Sequence, residues 1–379
     1  MSQLALLSEA TEPESARTNA TANRLGVDDR AVHDWYRFVL SFPPHLVRDY
    51  LQRFKLAPGQ TVLDPFCGTG TTVVEAKLQG LAAVGVEANA LAHFAGSVKT
   101  DWMVDPAALL RRTQQIAAAT RQAIERSQPN ALRTLPAEAE ALLLKGSISP
   151  LPLHKVLLLL EQIDSACDEP GYRHLRLALA RTLVYDASNL HFGPEVGVRR
   201  TKLVDAPVVE SWLAAVERMA DDLYRVDRTA PPVTIHHADA RRLSDLLEPR
   251  SIDAVFTSPP YPNEKDYTRT TRLESVVLGY MHNKADLRAI KQGLLRSNTR
   301  NVYKQDDDDA WVADHAEIQA LATEIERRRV ELGKTSGFER LYARVTRLYF
   351  GGMARHLAEL RPFLKPGAQI GYVVGDQAS

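Results

Sequence analysis

The chain has 379 residues, an apolar fraction of 45%, and 47 basic against 47 acidic side chains. That length suits one large domain with insertions, or two domains, around a real core. A balanced charge gives no general affinity for nucleic acid, so any such contact must come from local patches. Cys67 and Cys167 are its only cysteines, which excludes a disulfide framework and points to a reducing cytoplasmic setting.

In chain order, the first residues are rich in Ala, Ser, Thr and Glu, without the basic start and apolar run of a signal peptide. Residues 1–28 are expected to be a disordered tail. No later stretch is long and apolar enough to span a membrane. After Pro43-Pro44 a helix is predicted, with Leu46, Val47, Tyr50, Leu51 and Phe54 on one face. Pro58-Gly59 makes a turn, and Thr61-Val62-Leu63-Asp64 is a short strand. The loop Pro65-Phe66-Cys67-Gly68-Thr69-Gly70 leads into a helix over 71–79, which Gly80 ends. The next strand runs over 82–86 to Glu87. A strand–helix–strand unit of this kind predicts a parallel sheet.

A helical stretch over about 106–228 then interrupts the alternation. Its predicted helices cover 107–126, 153–166, 172–185 and 208–226, and an irregular loop occupies 188–200. The sheet resumes with Val233-Thr234-Ile235-His236-His237, ending at Ala238-Asp239. Ile252-Asp253-Ala254-Val255-Phe256-Thr257 is a buried strand, stopped by Ser258-Pro259-Pro260-Tyr261. Neither proline can donate to a sheet ladder. A second insertion over about 262–337 precedes a helix over 341–360, the turn Pro366-Gly367 and a strand over 369–374. The divisions expected are a cofactor half at 29–104, a helical insertion at 105–230 that is a candidate DNA-recognition region, a catalytic half at 231–265, a candidate DNA-binding insertion at 266–340, and a closing helix and strand at 341–379.

Three strand ends carry the chemistry. At the first, Gly68 and Gly70 let the backbone approach a ligand at a helix N-terminus. A dinucleotide is a poor fit, because Gly-x-Gly-x-x-Gly is absent and Asp64 would repel a pyrophosphate. An acid there suits a ligand with an ammonium, such as the methionine part of S-adenosylmethionine. At the second, Glu87 is placed to accept from ribose hydroxyls, or is a solvated loop acid. At the third, Asp239 can accept from the adenine amine, or be a solvated loop acid. The tetrapeptide brings a hydroxyl, rigid carbonyls and an aromatic face to one place, which suits a flat ring with an exocyclic amine. His236 and His237 face opposite sides of a strand, and no Cys/His grouping has metal-ligand spacing. Lys284, Arg288, Lys291, Arg296, Arg300 and Lys304 form a basic segment, and Arg199, Arg200 and Lys202 a second one. Each reads either as a phosphate contact or as a solvated face. Asp306 to Asp309 reads as an exposed acidic turn.

Taken together, these motifs resemble the amino-methyltransferases of DNA, which methylate N4 of cytosine or N6 of adenine with S-adenosylmethionine. The resemblance covers about 33–99, 233–280 and 341–376. Ser41-Phe42-Pro43-Pro44-His45-Leu46 resembles the lead-in that packs on the cofactor's methionine end, Asp64 to Thr72 the cofactor loop, and Ser258 to Tyr261 the catalytic tetrapeptide. The resemblance implies a class I methyltransferase α/β fold, a Rossmann-like sheet with large helical insertions. Two further strands normally end such a sheet; here they are expected to be missing, through truncation or because a second chain completes the sheet. It implies cofactor contacts from Pro44, His45, Asp64, Pro65, Phe66, Gly68, Gly70, Thr71, Glu87 and Asp239, and catalysis at Ser258, Pro259, Pro260 and Tyr261. DNA contacts are expected from Arg199, Arg200, Lys202, Arg296, Arg300 and Lys304. Partners implied are double-stranded DNA and a cognate restriction enzyme or defence-system subunits, with no membrane. In the family, Ser at the first tetrapeptide position leans toward cytosine N4. The alternatives are adenine N6, an RNA base amine, or, in another class, a non-catalytic DNA-recognition subunit.

Overall fold

The structure is a computed structural model and describes residues 26, 29–37, 41–128, 130–193, 195–262 and 265–374. The tail expected at 1–28 lies almost wholly outside them. The strands are β1 (Thr61–Asp64), β2 (Ala82–Glu87), β3 (Leu190–Phe192), β4 (Val196–Val198), β5 (Val233–His237), β6 (Ile252–Thr257) and β7 (Leu364–Tyr372). Five of them form one sheet in the order β5-β2-β1-β6-β7, with every neighbouring pair parallel. This is the Rossmann-like α/β sheet expected from the sequence.

Parallel strands need both faces covered, and their sequences show it. Val62, Leu63, Ala254, Val255 and Phe256 are all fully buried. The helix Pro44–Arg53 lies against this region, with Phe42, Tyr50 and Phe54 around the Phe256 ring, Tyr50 at 4.9 Å between centroids. Arg48 ties the same helix to Asp29 and Glu75, and Glu75 also meets His33 Nε2 at 2.8 Å. The strand order reverses between β2 and β6, on either side of β1. A crevice therefore opens outside the carboxyl ends of these strands.

The helical stretch is built of Pro106–Arg126, Pro150–Asp164, Tyr172–Thr182 and Val208–Arg225. Its apolar cluster is continuous with Leu91, Phe94 and Val98 of the helix Ala90–Lys99 and with Leu273, Val276 and Val277. The stretch is thus packed into the body of the sheet domain. Trp212, fully buried, donates from Nε1 to the Leu175 carbonyl at 3.0 Å and joins two of its helices. The segment read as an irregular loop is a short antiparallel hairpin, β3 with β4.

Two further differences from the sequence reading concern the second insertion and the last strand. Asp306 to Asp309 is not an exposed turn. Asp308 is buried, and Asp306 closes a buried ion pair with Arg296. The last strand starts at Leu364 and runs through Pro366-Gly367, with a shift of register against β6 near Ile252 and Ala254. β7 pairs only with β6 among the described residues, and an edge strand tolerates a proline because its outer ladder is open. No helix among the described residues is long and apolar enough to cross a membrane.

Candidate active site

A cavity of about 490 Å³ lies at the carboxyl ends of β1, β2, β5 and β6. Pro65, Phe66, Cys67, Gly68, Thr69 and Thr71 form one wall, Glu87 and Asn89 a second, Asp239 a third, and Ser258 to Tyr261 a fourth. Its volume is that of a small-molecule site.

The first wall is held from below. Asp64 is fully buried; its Oδ1 accepts from Thr257 Oγ1 at 2.5 Å and from Phe66 N at 3.1 Å. Burial pushes its carboxyl up to about 6, against the lowering effect of the Thr257 hydrogen bond. Asp64 thus pins β1 to β6 beneath the loop. Gly68 adopts φ +53 with nothing within 4 Å of where a Cβ would stand, so the space beside its Cα is open. Gly70 adopts φ +89 beside the Gly96 Cα, so two helices meet closely there. Lys99, buried, donates to the Thr69 carbonyl at 2.9 Å. Burial lowers its ammonium to about 7.

Glu87 reaches across to the loop. Its Oε2 accepts from Gly68 N at 2.7 Å and its Oε1 from Asn89 N at 2.7 Å. Burial pushes this carboxyl up to about 7, against the lowering effect of those two N–H groups. Phe66 stands edge-on to His356, with centroids 4.9 Å apart. His356 Nδ1 donates to the Ala240 carbonyl at 2.8 Å, so Nε2 accepts from the Tyr372 hydroxyl at 2.5 Å. Burial lowers the His356 pKa, in keeping with a neutral ring.

At the fourth wall, Ser258 Oγ donates to the Val373 carbonyl at 3.1 Å and lies 3.0 Å from the Tyr261 hydroxyl. Tyr261 N donates to the Tyr267 hydroxyl at 3.1 Å. With its proton aimed at Val373, Ser258 Oγ keeps lone-pair capacity for an incoming N–H. Cys67 is a poor nucleophile, because burial raises its thiol well above the ordinary value, with Asp64 and Glu87 adding to the shift.

Comparison with known proteins agrees with this geometry. A family model described as DNA methylase, of the N6/N4 methyltransferase type, matches residues 13–93. The type II methyltransferase M.BsoBI of Geobacillus stearothermophilus is 26% identical over 382 aligned positions, covering 91% of this chain and 74% of its own length. No solved structure matches the chain. These matches support an amino-methyltransferase of the N4/N6 DNA family.

In this chain, the cavity brings together Pro65, Phe66, Gly68, Thr71, Glu87, Asp239 and the whole tetrapeptide. Four expected cofactor residues do not line it. Pro44 is buried, and His45 stands 3.7 Å from the Asp29 carboxylate; Ser41, Phe42, Pro43 and Leu46 line the cavity from the same lead-in. Asp64 and Gly70 act beneath the loop rather than in the cavity wall. Of the basic residues, Arg199, Arg200, Lys202, Arg300 and Lys304 are exposed. Arg296 is a correction. It is 4% exposed, its guanidinium bound to Asp306 and to the Lys291, Gln292 and Leu294 carbonyls, so no donor is left for a phosphate. Lys291 is likewise buried against Asp266 at 2.8 Å. Sequence reading missed Arg37, Asn89, Lys265 and Tyr267 in the cavity wall and Lys99 beneath it. None of them sits in a distinctive motif, and only the spacing of Asn89 two residues after Glu87 offered a signal.

Proposed function

We propose that the chain methylates the exocyclic amine of a flipped DNA base, N4 of cytosine preferred, with S-adenosylmethionine as donor. The observation that carries this reading is a single cavity holding both Ser258-Pro259-Pro260-Tyr261 and the open Gly68 loop beside Glu87. Residues suited to each end of that cofactor are present. Phe66 and Gly68 offer an aromatic edge and open backbone, Glu87 accepts from ribose hydroxyls, and Asp239 accepts from the adenine amine. When bound, the cofactor supplies an electrophilic methyl group on a sulfonium.

The chain's own residues then have definite tasks. An exocyclic amine is a weak nucleophile, because its lone pair is delocalised into the ring. Ser258 Oγ, already donating to Val373, accepts one amine N–H, and the Pro259 carbonyl accepts the other. Both bonds favour a more tetrahedral nitrogen with its lone pair free, and positioning supplies most of the acceleration. Tyr261 stacks on the base, a contact worth about 1–3 kcal/mol. Extruding the base costs a few kcal/mol, which phosphate contacts offset. No covalent enzyme intermediate is needed, in keeping with the buried thiol of Cys67.

The exposed cations of the β3–β4 side, Arg199, Arg200 and Lys202, are proposed to hold the DNA backbone, with Arg300 and Lys304 on the second insertion. The hairpin is tied to the segment after the tetrapeptide, where Arg269 stands 3.7 Å from Glu195. A cognate restriction enzyme is the proposed biological partner. Incubating DNA with the protein and labelled S-adenosylmethionine tests the reading. N4-methylcytosine among the digested nucleosides supports it, and N6-methyladenine moves the preference to adenine. Absence of cofactor binding by calorimetry at millimolar ligand would leave a non-catalytic DNA-recognition role.

A further inference from the structure

The acidic run Asp306-Asp307-Asp308-Asp309 has no evident task in methyl transfer, yet its third residue is 4% exposed. Asp308 Oδ2 pairs with Arg241 Nη1, and Asp308 Oδ1 accepts from Arg355 Nη1 at 3.2 Å. Arg241, itself 7% exposed, lies two residues after Asp239. Its backbone N and Nε each donate to Asp239 Oδ1 at 2.9 Å, and its Nη2 donates to Asp239 Oδ2 at 2.6 Å. One guanidinium is therefore gripped on both sides, by a buried acid of the second insertion and by an acid that lines the cavity.

The seat for Asp308 is cut into the helix Tyr342–Leu360. A Cβ at Gly351 would stand 1.9 Å from the Asp308 carbonyl oxygen. A Cβ at Gly352 would stand 2.5 Å from Leu295 Cδ1 and 3.3 Å from Asp308 Oδ2. Glycine is unfavourable inside a helix, so two in succession mark a place where close approach outweighs helix propensity. Burial alone would lower the Arg241 pKa; the hydrogen bonds and charges of Asp239 and Asp308 outweigh it and keep the guanidinium charged. A buried guanidinium paired to one carboxylate leaves donors unsatisfied, and the second carboxylate meets them.

We propose that Asp308 is a positioning residue for cofactor recognition: through Arg241 it fixes the Asp239 carboxylate in the orientation that accepts from the adenine amine. The inference rests on the reading of Asp239 given above and adds to it the residue that holds it. It also makes the second insertion part of the cofactor site. Without the Asp308 charge, Arg241 is held on one side only, and Asp239 moves with it.

The test compares S-adenosylmethionine with S-inosylmethionine, in which an oxygen replaces the adenine amine, by calorimetric Kd on the protein without DNA and as donors on DNA. The wild type should prefer the natural donor by about tenfold or more, the worth of a hydrogen bond to a charged group. Asp308→Asn should raise Kd and KM for S-adenosylmethionine by about tenfold and shrink that preference to near unity, with kcat and KM for DNA held. Asp308→Glu should recover part of the preference. Arg355→Gln, which touches only the outer side of Asp308, should leave the preference intact. If Asp308→Asn does not fold, Arg241→Lys, which loses the planar fork, carries the same expectation. An unchanged preference in Asp308→Asn overturns the proposal, as does an equal loss in Arg355→Gln. A wild type that uses both donors alike overturns the reading of Asp239 itself, and the role of Asp308 with it.

Discussion

At Ser258 the hydroxyl proton is already directed to the Val373 carbonyl, 3.1 Å away, which prepares the oxygen to accept rather than donate. Ser258→Ala should therefore lower kcat by about 100-fold, the effect of losing orientation at a reacting atom. Its cofactor affinity, measured by calorimetry, should stay within about threefold of wild type, since no part of the Gly68 wall changes. Glu87 makes a pH prediction. Its carboxyl is pushed up to about 7 by burial, above the ordinary 4.5. A raised folded pKa means that the stability it contributes is complete below the ordinary value and is lost as pH rises through about 7. In the role proposed for Glu87, cofactor binding runs the other way, because ribose hydroxyls need the ionised acceptor. Affinity should fall as pH drops through about 7, and Glu87→Gln should flatten the profile. Equal slopes in both proteins would contradict this. The place of Glu87 in the cavity wall was legible in the sequence because it ends a strand beside a Gly-bearing turn. Asp64 was legible as important but not as buried. Its partner Thr257 is distant in sequence, and nothing local tells an acid facing a ligand from one joining two strands.

Among elements, the loop and helix that carry the glycines depend on close backbone approach. Gly70→Ala would put a Cβ 3.1 Å from the Gly96 Cα at φ +89. It should destabilise the fold by roughly 1–3 kcal/mol, visible as a lower denaturation midpoint. An unchanged midpoint would show that the helix Thr71–Leu78 is free to shift. The core elements were legible because each has one period: Val62 and Leu63 are apolar on both faces, and Val47 and Leu51 share one helical face. The insertions were less so. Asp306 to Asp309 looks solvated by composition, and only folding brings Arg296, Arg241 and Arg355 to it. The hairpin at 190–198 has strands too short to show alternation. Pro366-Gly367 reads as a turn unless the strand is known to lie at an edge.

Over the whole molecule, a neutral chain can bind DNA only through patches, and burial now divides the basic residues into two sets. Replacing Arg199 and Arg200 together by Gln should weaken DNA binding and flatten its dependence on log salt by about 1–2, since each phosphate left without its cation lowers the slope by about 0.9. Arg296→Gln should leave that slope unchanged and lower thermal stability instead, since it strands Asp306 in a buried pair. A reversed pattern would place the DNA on the other insertion. Such a division cannot be drawn from sequence, where buried and exposed arginines look alike. The sheet and its cavity were legible because motif order and strand order follow the same rule at the carboxyl ends. The most direct test of the whole account is mass spectrometry of nucleosides from DNA treated with the protein and labelled S-adenosylmethionine, beside Ser258→Ala. Wild type should place label on an exocyclic base amine, N4 of cytosine, and the variant almost none. Label on a ring carbon, or equal label with Ser258→Ala, would contradict it.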